Sequence, residues 1–514
     1  MVNSLILLGV GVFLLINMGI GLYVSRWIRG RSENYIVAGR RLILPLAAAT
    51  LMAQSVDSNA TLGNTDLTYA FGFWAGASLP LGLALCLFLT GLFFAKPLNG
   101  MRLMTLPDFY RIKYGRLVEV LASIIMVLSF AILLGGNLVA GGYLFQKFLG
   151  TSYTQGVLII ASIIFVYTIA GGLIAVAYTD IIQIIVAFIA STATIIFVAS
   201  NFGITIPAGM GPFDFEQLVN PSCGAYINWA TLLALGLGDI VAIDFMERVF
   251  AAESPETARR ACFIGSLGTV VIGVPFAIVA LSAHSIFGNL GMTVPEGEPI
   301  LYALLSDVFP VELAVLVLAG ILAASLSTGD GAILGTSAVL ARNVLGLRQN
   351  NERKHVRDKL LYGTRLMGIP ITLLGIYFAL KVPETGMLLV LAFDVTFAGL
   401  LVPLVLGLYW SRVNTSAALA AILGGSIMRL VTFALSPQIY GMENTLLYIP
   451  NNTIFSDPVF DGLPTLISPL FSLILSVIVA YATQSTTFSL RSEATSTRRI
   501  VAAGENETDP DEKE

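Results

Sequence analysis

Carboxylates and amides stand inside two otherwise apolar stretches, where they could bind a cation or an amine. Residues 53–66 read AQSVDSNATLGNTD, and residues 235–244 read LGLGDIVAID. A carboxylate at membrane depth is costly unless it is paired or hydrated, so such residues usually serve a function. The candidate solute-binding residues are Ser55, Asp57, Asn59, Asp239 and Asp244, together with Asn137 and Asp394 on two further apolar stretches.

These acids allow two interpretations. If two or more of them face one cavity, a cationic or amine-bearing solute is favoured. If they pair instead with Arg365 or Arg429, which also stand within apolar stretches, they are structural and the solute could be neutral.

A third stretch is rich in hydroxyl groups. Residues 322–343 read LAASLSTGDGAILGTSAVLARN and bring Ser325, Ser327, Thr328 and Asp330 close together. Hydroxyl and carbonyl oxygens suit a small hard cation such as sodium. The alternative is that each hydroxyl bonds the carbonyl four residues earlier, which is common for Ser and Thr in membrane helices.

Composition places these stretches in a membrane. The chain has 514 residues, of which 56% are hydrophobic and 12% charged, whereas soluble proteins carry about 25% charged residues. Three scattered cysteines and two histidines predict neither a disulfide framework nor a histidine metal site. No Walker-type glycine loop and no nucleophile–base constellation is visible, so we expect neither ATP-driven transport nor an enzyme.

Thirteen apolar stretches are long enough to cross roughly 30 Å of hydrocarbon as helices. They are 4–24, 44–69, 73–95, 118–145, 155–174, 179–200, 228–247, 261–287, 311–341, 360–380, 386–409, 416–435 and 466–482. Of the 28 Lys and Arg residues, 24 fall in alternate loops, two in the other loops and two within helices. Because positive charge marks the cytoplasmic side, we expect a multi-pass protein of the plasma (inner) membrane with its N-terminus outside and its C-terminus in the cytoplasm.

The second and seventh apolar stretches are the interrupted ones, and they lie five stretches apart. Broken helices at matching positions predict an all-α fold with a five-plus-five inverted repeat and binding sites at the midplane. The expected divisions are a first helix and inner loop (1–43), two five-helix repeats (44–200 and 228–410) joined by an outer loop (201–227), two C-terminal helices (411–485) and a disordered cytoplasmic tail (486–514).

Four motifs make a family recognisable. They are IAGGLIAVAYTDIIQ at 169–183, ERVFAAESPETARRA at 247–261, LFFAKPLNGMRLMTLPDFYRIKYG at 92–115 and the hydroxyl-rich stretch at 322–343. These motifs resemble those of the solute:sodium symporter family, and LFFAKP and GGLIAVAYTD are most similar to its high-affinity choline transporter branch. The resemblance implies a bundle of the amino-acid/sodium symporter (LeuT-like) type.

The resemblance also implies a sodium site between the second and ninth apolar stretches. Its ligands would be the carbonyls of Ala53, Val56 and Ala324 and the hydroxyls of Ser327 and Thr328. Asp180 would supply negative charge nearby, with a helix-capping role as its alternative. The tryptophan positions of the choline branch are Ser55 and Ala242 here, so its aromatic cage for a quaternary ammonium is missing.

Sodium-coupled uptake of a small organic solute by alternating access is the function that these features predict. Sodium would be the coupling ion, and the solute and the lipid bilayer would be the partners; we expect no nucleic acid. Two alternatives remain: a solute sensor that has lost transport, and a proton-coupled carrier or channel on the same fold.

Overall fold

The computed structural model describes residues 4–293, 297–349, 358–444, 447–449 and 457–504. The loops expected at 288–310, 342–359 and 436–465 and the end of the expected tail therefore lie partly outside the described residues. Helices account for nearly all of the described chain.

Twenty α-helices follow one another in the described ranges. The first ten are α1 Ser4–Val24, α2 Ser32–Val37, α3 Leu44–Ser55, α4 Ser58–Phe71, α5 Phe73–Leu89, α6 Ala95–Gly100, α7 Pro107–Tyr114, α8 Arg116–Leu149, α9 Tyr153–Asn201 and α10 Glu216–Val219. The others are α11 Ala225–Leu233, α12 Ile243–Ala251, α13 Pro255–Leu290, α14 Ile300–Asp307, α15 Val311–Val339, α16 Lys359–Lys381, α17 Met387–Gly399, α18 Leu401–Tyr409, α19 Thr415–Leu435 and α20 Leu463–Gly504. Two short strands, β1 Gln438–Ile439 and β2 Met442–Glu443, pair antiparallel.

Nine helices in the described residues are long and apolar enough to cross a membrane, and eleven spans result if two bent helix pairs are each counted as one. The bent pairs are Ala225–Val241 with α12 and α17 with α18. These spans confirm a polytopic helical membrane fold, while the count of thirteen stays a prediction.

Helix α9 contains two of the expected spans because it folds back on itself. Gly172 has φ +53° and ψ −171°, which are not helical angles. The Tyr167 hydroxyl bonds the Thr179 hydroxyl twelve residues along the chain, whereas a straight helix would separate these residues by about 18 Å. The turn at Gly172 therefore divides α9 near the expected boundary between 155–174 and 179–200.

Helix α15 lies at the centre of the bundle, and α1 lies at its edge. In the most apolar window of α15, 78% of residues are buried inside the molecule, against 28% for α1. Helix α15 packs along α8, α9 and α16. The hydroxyl-rich face predicted to bind a cation is thus inside the protein, away from lipid.

Both interrupted spans break where the sequence predicts. The first breaks at Val56 and Asp57, between α3 and α4. The second continues past α11 through a π-turn (Ala234–Gly238) and a 3-10 turn (Asp239–Val241) to the extended Ala242, and it bends by 48° there. Glycines and polar residues that compete with the helical backbone explain both interruptions.

The last helix extends further than expected. Helix α20 continues to Gly504, past residue 486, where a disordered tail was expected to begin. Residues 505–514 lie outside the described part of the chain.

Candidate functional site

A small cavity lined by buried residues lies between the break after α3, the second half of α9, and α15. Its volume is about 10 Å³, which is space for one water-sized particle. Its lining residues are Ala53, Val56, Gln183, Ile184, Ala187, Ala323, Ala324 and Ser327. Four of the five predicted sodium ligands therefore border a single space of ionic size.

The backbone explains why this position offers oxygen ligands. Ala53 lies in the last turn of α3, where carbonyl groups have no partner further along the helix. Val56 has φ −84° and ψ 71°, outside the helical region. Carbonyls at such a break can turn toward a cation, as they do in transporters with discontinuous helices.

Asp180 stands next to this cavity and connects three helices. Its Oδ1 accepts a hydrogen bond from the Ser327 hydroxyl at 2.8 Å, and its Oδ2 accepts one from the Thr50 hydroxyl. Arg248 Nη2 lies 3.9 Å from the same carboxylate, and both side chains are fully buried. Because Asp180 lies eight residues after the turn at Gly172 and bonds side chains, its geometry argues against the helix-capping alternative.

Thr328 is the predicted ligand that is not among the cavity-lining residues. It is 2% exposed, and its hydroxyl donates to the Gln54 carbonyl at a long 3.4 Å. This contact ties α15 to the last turn of α3, directly beside the break. Thr328 thus lies next to the cavity but is engaged elsewhere in this conformation.

Asp57 is held by hydrogen bonds rather than left free. Its Oδ1 accepts from the Ala60 N–H at 2.7 Å, which caps α4. Its Oδ2 accepts from Asn137 Nδ2 on α8, also at 2.7 Å. Ser58 donates to Asn137 Oδ1, and Ser325 on α15 donates to Ser58, each at 2.8 Å. Asp57 and Asn137 therefore belong to a buried polar network that fixes the break.

Ser55 faces a second small cavity on the other side of the same break. The Ser55 hydroxyl contacts the Thr269 hydroxyl of α13. This cavity also measures about 10 Å³, and its lining residues are Ser55, Val56, Asp57, Ala60, Thr61, Asn64, Pro80, Thr269 and Gly273. The position of the missing aromatic cage is thus occupied by a closely packed hydroxyl pair.

Asp239 differs from Asp57 because neither of its oxygens has a nitrogen or oxygen hydrogen-bond partner among the described residues. The weakly donating Cys86 thiol lies beside it. It is 1% exposed. A carboxylate in that setting is suited to a cationic group that arrives from outside.

Asp244, at the start of α12, is partly satisfied. Its Oδ1 accepts from the Phe245 N–H at 2.7 Å. Arg248 donates to the Asp244 carbonyl at 3.1 Å and to the Thr50 hydroxyl at 3.0 Å. The second broken span therefore brings one fully buried arginine close to the Asp180 carboxylate.

Asp394 is paired, as the structural interpretation allows. Arg429 Nη2 and Nε lie 2.5 Å and 2.6 Å from Asp394 Oδ2, and Thr465 donates to the same oxygen at 3.2 Å. Arg365 stacks over the Tyr35 ring, 5.3 Å from its centroid. Asp394 thus lies in an ion pair at the C-terminal helices and is not brought to either cavity.

Asn59 joins α4 to the start of α17. Its Oδ1 accepts from the Gly386 N–H at 2.6 Å. A Cβ at Gly63 would lie 2.5 Å from the Gly386 Cα, so α4 and the start of α17 touch backbone to backbone. Asp66 bonds the Thr385 hydroxyl at 2.5 Å and the Ile300 N–H at 2.8 Å, which adds the loop helix α14 to the same contact.

Sequence reasoning missed Thr50, Gln183 and Arg248. Arg248 directly follows the seventh apolar stretch, so the sequence predicts a loop charge there, but the structure buries it fully on α12. The excess of acids over cations in the apolar stretches is a signal that could have identified it. Gln183 is the last residue of the family motif at 169–183, which is the signal that could have identified it. Thr50 gives no comparable signal, because a single Thr in an apolar run is ordinary.

Solved structures show the fold. A Na+-coupled sialic acid symporter matches with a TM-score of 0.73 at 14% identity, over 93% of this chain and 98% of that one. MhsT in complex with L-phenylalanine matches with a TM-score of 0.52, also at 14% identity, over 85% and 97%. The predicted fold of the amino-acid/sodium symporter type is therefore confirmed.

Curated relatives are transporters. The human (Homo sapiens) high affinity choline transporter 1 is 27% identical over 414 residues, covering 78% of this chain and 71% of its own. The high-affinity proline transporter PutP of Bacillus subtilis (strain 168) is 26% identical over 408 residues, covering 76% and 85%. The family model described as sodium:solute symporter family matches residues 35–425. The chain belongs to the sodium:solute symporter family.

Proposed function

We propose that this protein takes up a small organic solute together with sodium by alternating access. The observation that carries this proposal is the cavity of about 10 Å³ bordered by Ala53, Val56, Ala324 and Ser327. These are four of the five positions that the family resemblance assigns to sodium. Asp180 would supply the neighbouring negative charge.

The geometry suggests how ion binding could act on the fold. The cavity lies between α3, α9 and α15, so a bound ion would hold these helices together through oxygens of each side. Arg248 lies 3.9 Å from Asp180 and can balance that carboxylate once sodium has left. A sodium ion that enters at −100 mV gains about 2.3 kcal/mol, and a tenfold gradient adds about 1.4 kcal/mol.

For the solute we propose a cationic or amine-bearing group that meets Asp239. This carboxylate is buried and lacks a strong donor among the described residues. Ser55, Asn59 and Asp244 lie around the two breaks and would shape the site. The proposed orientation keeps the N-terminus outside and the C-terminus in the cytoplasm of a plasma membrane, with the two repeats at 44–200 and 228–410.

Asp330 gives a specific reason to retain proton coupling as a second candidate. It is fully buried on α15, and neither of its oxygens has a hydrogen-bond partner among the described residues. A carboxylate in that setting could carry a proton through the cycle.

Thermal unfolding of the purified protein tests the coupling ion. We expect sodium, but not potassium at equal ionic strength, to raise the unfolding temperature of the wild type, because a ligand that binds only the folded state stabilises it. Ser327→Ala should lose this rise. A solute library screened in sodium would then identify the cargo. A wild type that responds to pH and not to sodium would favour the proton-coupled candidate.

A further inference from the structure

A groove with two arginines lies where α1 ends, beside the start of the second half of α9. Its volume is about 300 Å³. Among the residues that line it are Trp27, Arg29, Arg41, Leu42, Ile174 and Tyr178. None of the lining residues in the described part of the chain is acidic. The groove therefore carries two positive charges without a counter-charge in its own wall.

The two groove arginines differ from their neighbour Arg40, which is engaged in the fold. Arg40 Nε lies 3.4 Å from Glu33 Oε1, and its Nη2 donates to the Arg102 carbonyl at 2.8 Å. Arg29 and Arg41 are exposed, and neither has an ion pair or a side-chain hydrogen bond among the described residues. Guanidinium groups bind phosphate oxygens through pairs of N–H donors. Two of them at one concave surface suit a phosphate group.

Two aromatic side chains place the groove at the edge of the hydrocarbon. Trp27 and Tyr178 are both exposed, and their rings meet edge to face with centroids 5.2 Å apart. Tryptophan and tyrosine favour the level of the lipid headgroups. Trp27 lies in the 3-10 turn Ser25–Ile28 that directly follows α1. The groove therefore lies where a membrane-spanning helix reaches the headgroup region.

An exposed apolar stripe runs along α9 from the groove. Tyr178, Ile185, Ile189 and Ile196 follow one another at intervals of seven, four and seven residues, which places them on one helix face. The three isoleucines are each 48–58% exposed. The stripe extends about 27 Å, which is longer than the roughly 15 Å of hydrocarbon in one leaflet. An acyl chain can therefore lie along it.

We propose that this groove binds the phosphate of an anionic membrane lipid through Arg29 and Arg41, with an acyl chain along the apolar stripe of α9. In the proposed orientation the groove faces the cytoplasmic leaflet, whose anionic lipids attract basic segments. Leu42 in the groove wall bonds the Ala251 carbonyl and the Glu253 N–H through its backbone, each at 3.0 Å. A bound lipid would thus hold together α1, the start of α3 and the end of α12. This inference goes beyond the proposed function and requires neither sodium nor a solute.

Thermal unfolding of the purified protein in a neutral detergent measures lipid binding, because a ligand of the folded state stabilises it. Phosphatidylglycerol added to the micelles should raise the unfolding temperature to a plateau. Phosphatidylcholine, whose headgroup has no net charge, should not. Arg29→Gln and Arg41→Gln should each raise the half-saturating fraction of phosphatidylglycerol about fivefold, and the double variant about twentyfold or more.

Arg26→Gln is the matched control. Arg26 is exposed on the same turn as Trp27, but it does not line the groove and stacks over the Tyr23 ring, 5.0 Å from its centroid. This variant loses one positive charge near the same headgroups and should match the wild type. Inorganic phosphate and glycerophosphoglycerol, the headgroup without acyl chains, identify the source of the phosphate. Neither should stabilise the protein at the concentration where the lipid half-saturates it.

Each contrary outcome overturns the lipid site. An unchanged half-saturating fraction in the double variant would remove the arginines from it, and equal shifts in Arg26→Gln and Arg29→Gln would show general attraction to anionic micelles. Full stabilisation by inorganic phosphate would replace the lipid by a free anion. If the double variant does not fold, the single variants decide. A protein that responds to phosphatidylglycerol but not to sodium would leave this site standing and overturn the proposed ion site.

Discussion

The two broken spans differ in how the buried aspartate at each break is hydrogen-bonded. At the first break, Asp57 receives hydrogen bonds from the Ala60 N–H and from Asn137, both at 2.7 Å. At the second break, Asp239 receives none from a nitrogen or oxygen donor among the described residues. In the proposed function, the hydrogen-bonded first break leaves backbone carbonyls for an ion, and the second break leaves the Asp239 carboxylate for a cationic group of the solute.

This difference separates two roles that look alike in the sequence. Both breaks combine glycine with aspartate in an apolar run, and both aspartates are buried. A hydrogen-bonded carboxylate stabilises the fold, whereas an unpaired buried carboxylate destabilises it until a partner arrives. Substitution of Asp57 at the first break should therefore lower the stability of the fold. Substitution of Asp239 at the second break should instead lower the affinity for solute.

Breaking the Asp394–Arg429 ion pair at the C-terminal helices should destabilise the protein most. Asp394→Asn leaves Arg429 buried without its counter-charge, and removing one partner of a buried pair destabilises by about 3–5 kcal/mol. We expect the largest fall in unfolding temperature for this variant. A stable Asp394→Asn protein that has lost solute binding would instead place Asp394 in the solute site.

Asp57→Ala should cause the second largest loss of stability. It removes the cap of α4 and the hydrogen bond from Asn137 Nδ2, which keeps its bond to the Leu133 carbonyl, for a loss of about 2 kcal/mol. Asp57→Asn keeps one acceptor oxygen and should lose less stability. Comparing the unfolding temperatures of the two variants therefore provides the control. If Asp57→Ala unfolds like the wild type yet fails to bind solute, the two breaks are not different in the way described here.

Asp239→Asn should change stability least, by about 1 kcal/mol or less in either direction, since no strong hydrogen bond is lost. Its solute affinity should nevertheless fall by about tenfold or more, because a neutral amide cannot balance a cationic group. Stabilisation by solutes in sodium buffer measures both effects. Unchanged solute binding in this variant would support a neutral solute and a structural Asp239.

The sequence predicted much of the fold because the determining signals are local. Apolar length identifies spans, and glycine with aspartate in such a run identifies the two breaks. The fold-back at Gly172 was expected as a boundary between two spans, although the helix on either side is otherwise regular. The number of spans depends on how broken helices are counted, which length and hydropathy cannot decide.

The candidate site was predictable only in part, because the hydrogen-bond and ion-pair partners of the buried acids lie far away in the sequence. Asp57 finds Asn137 eighty residues away, while Asp394 finds Arg429, and no pattern in either segment distinguishes those acids from Asp239. The hydroxyl-rich stretch pointed to Ser327 through its residue types and the family motif.

Equilibrium binding of radioactive sodium to the purified protein tests the central claim most directly. We predict saturable binding in the wild type that potassium does not displace, and its loss in Ser327→Ala. Ser337→Ala, a matched change on α15 whose hydroxyl bonds the Leu334 carbonyl of its own helix, should bind like the wild type. Saturable sodium binding that survives in a folded Ser327→Ala protein would contradict the assignment of the ion to this cavity.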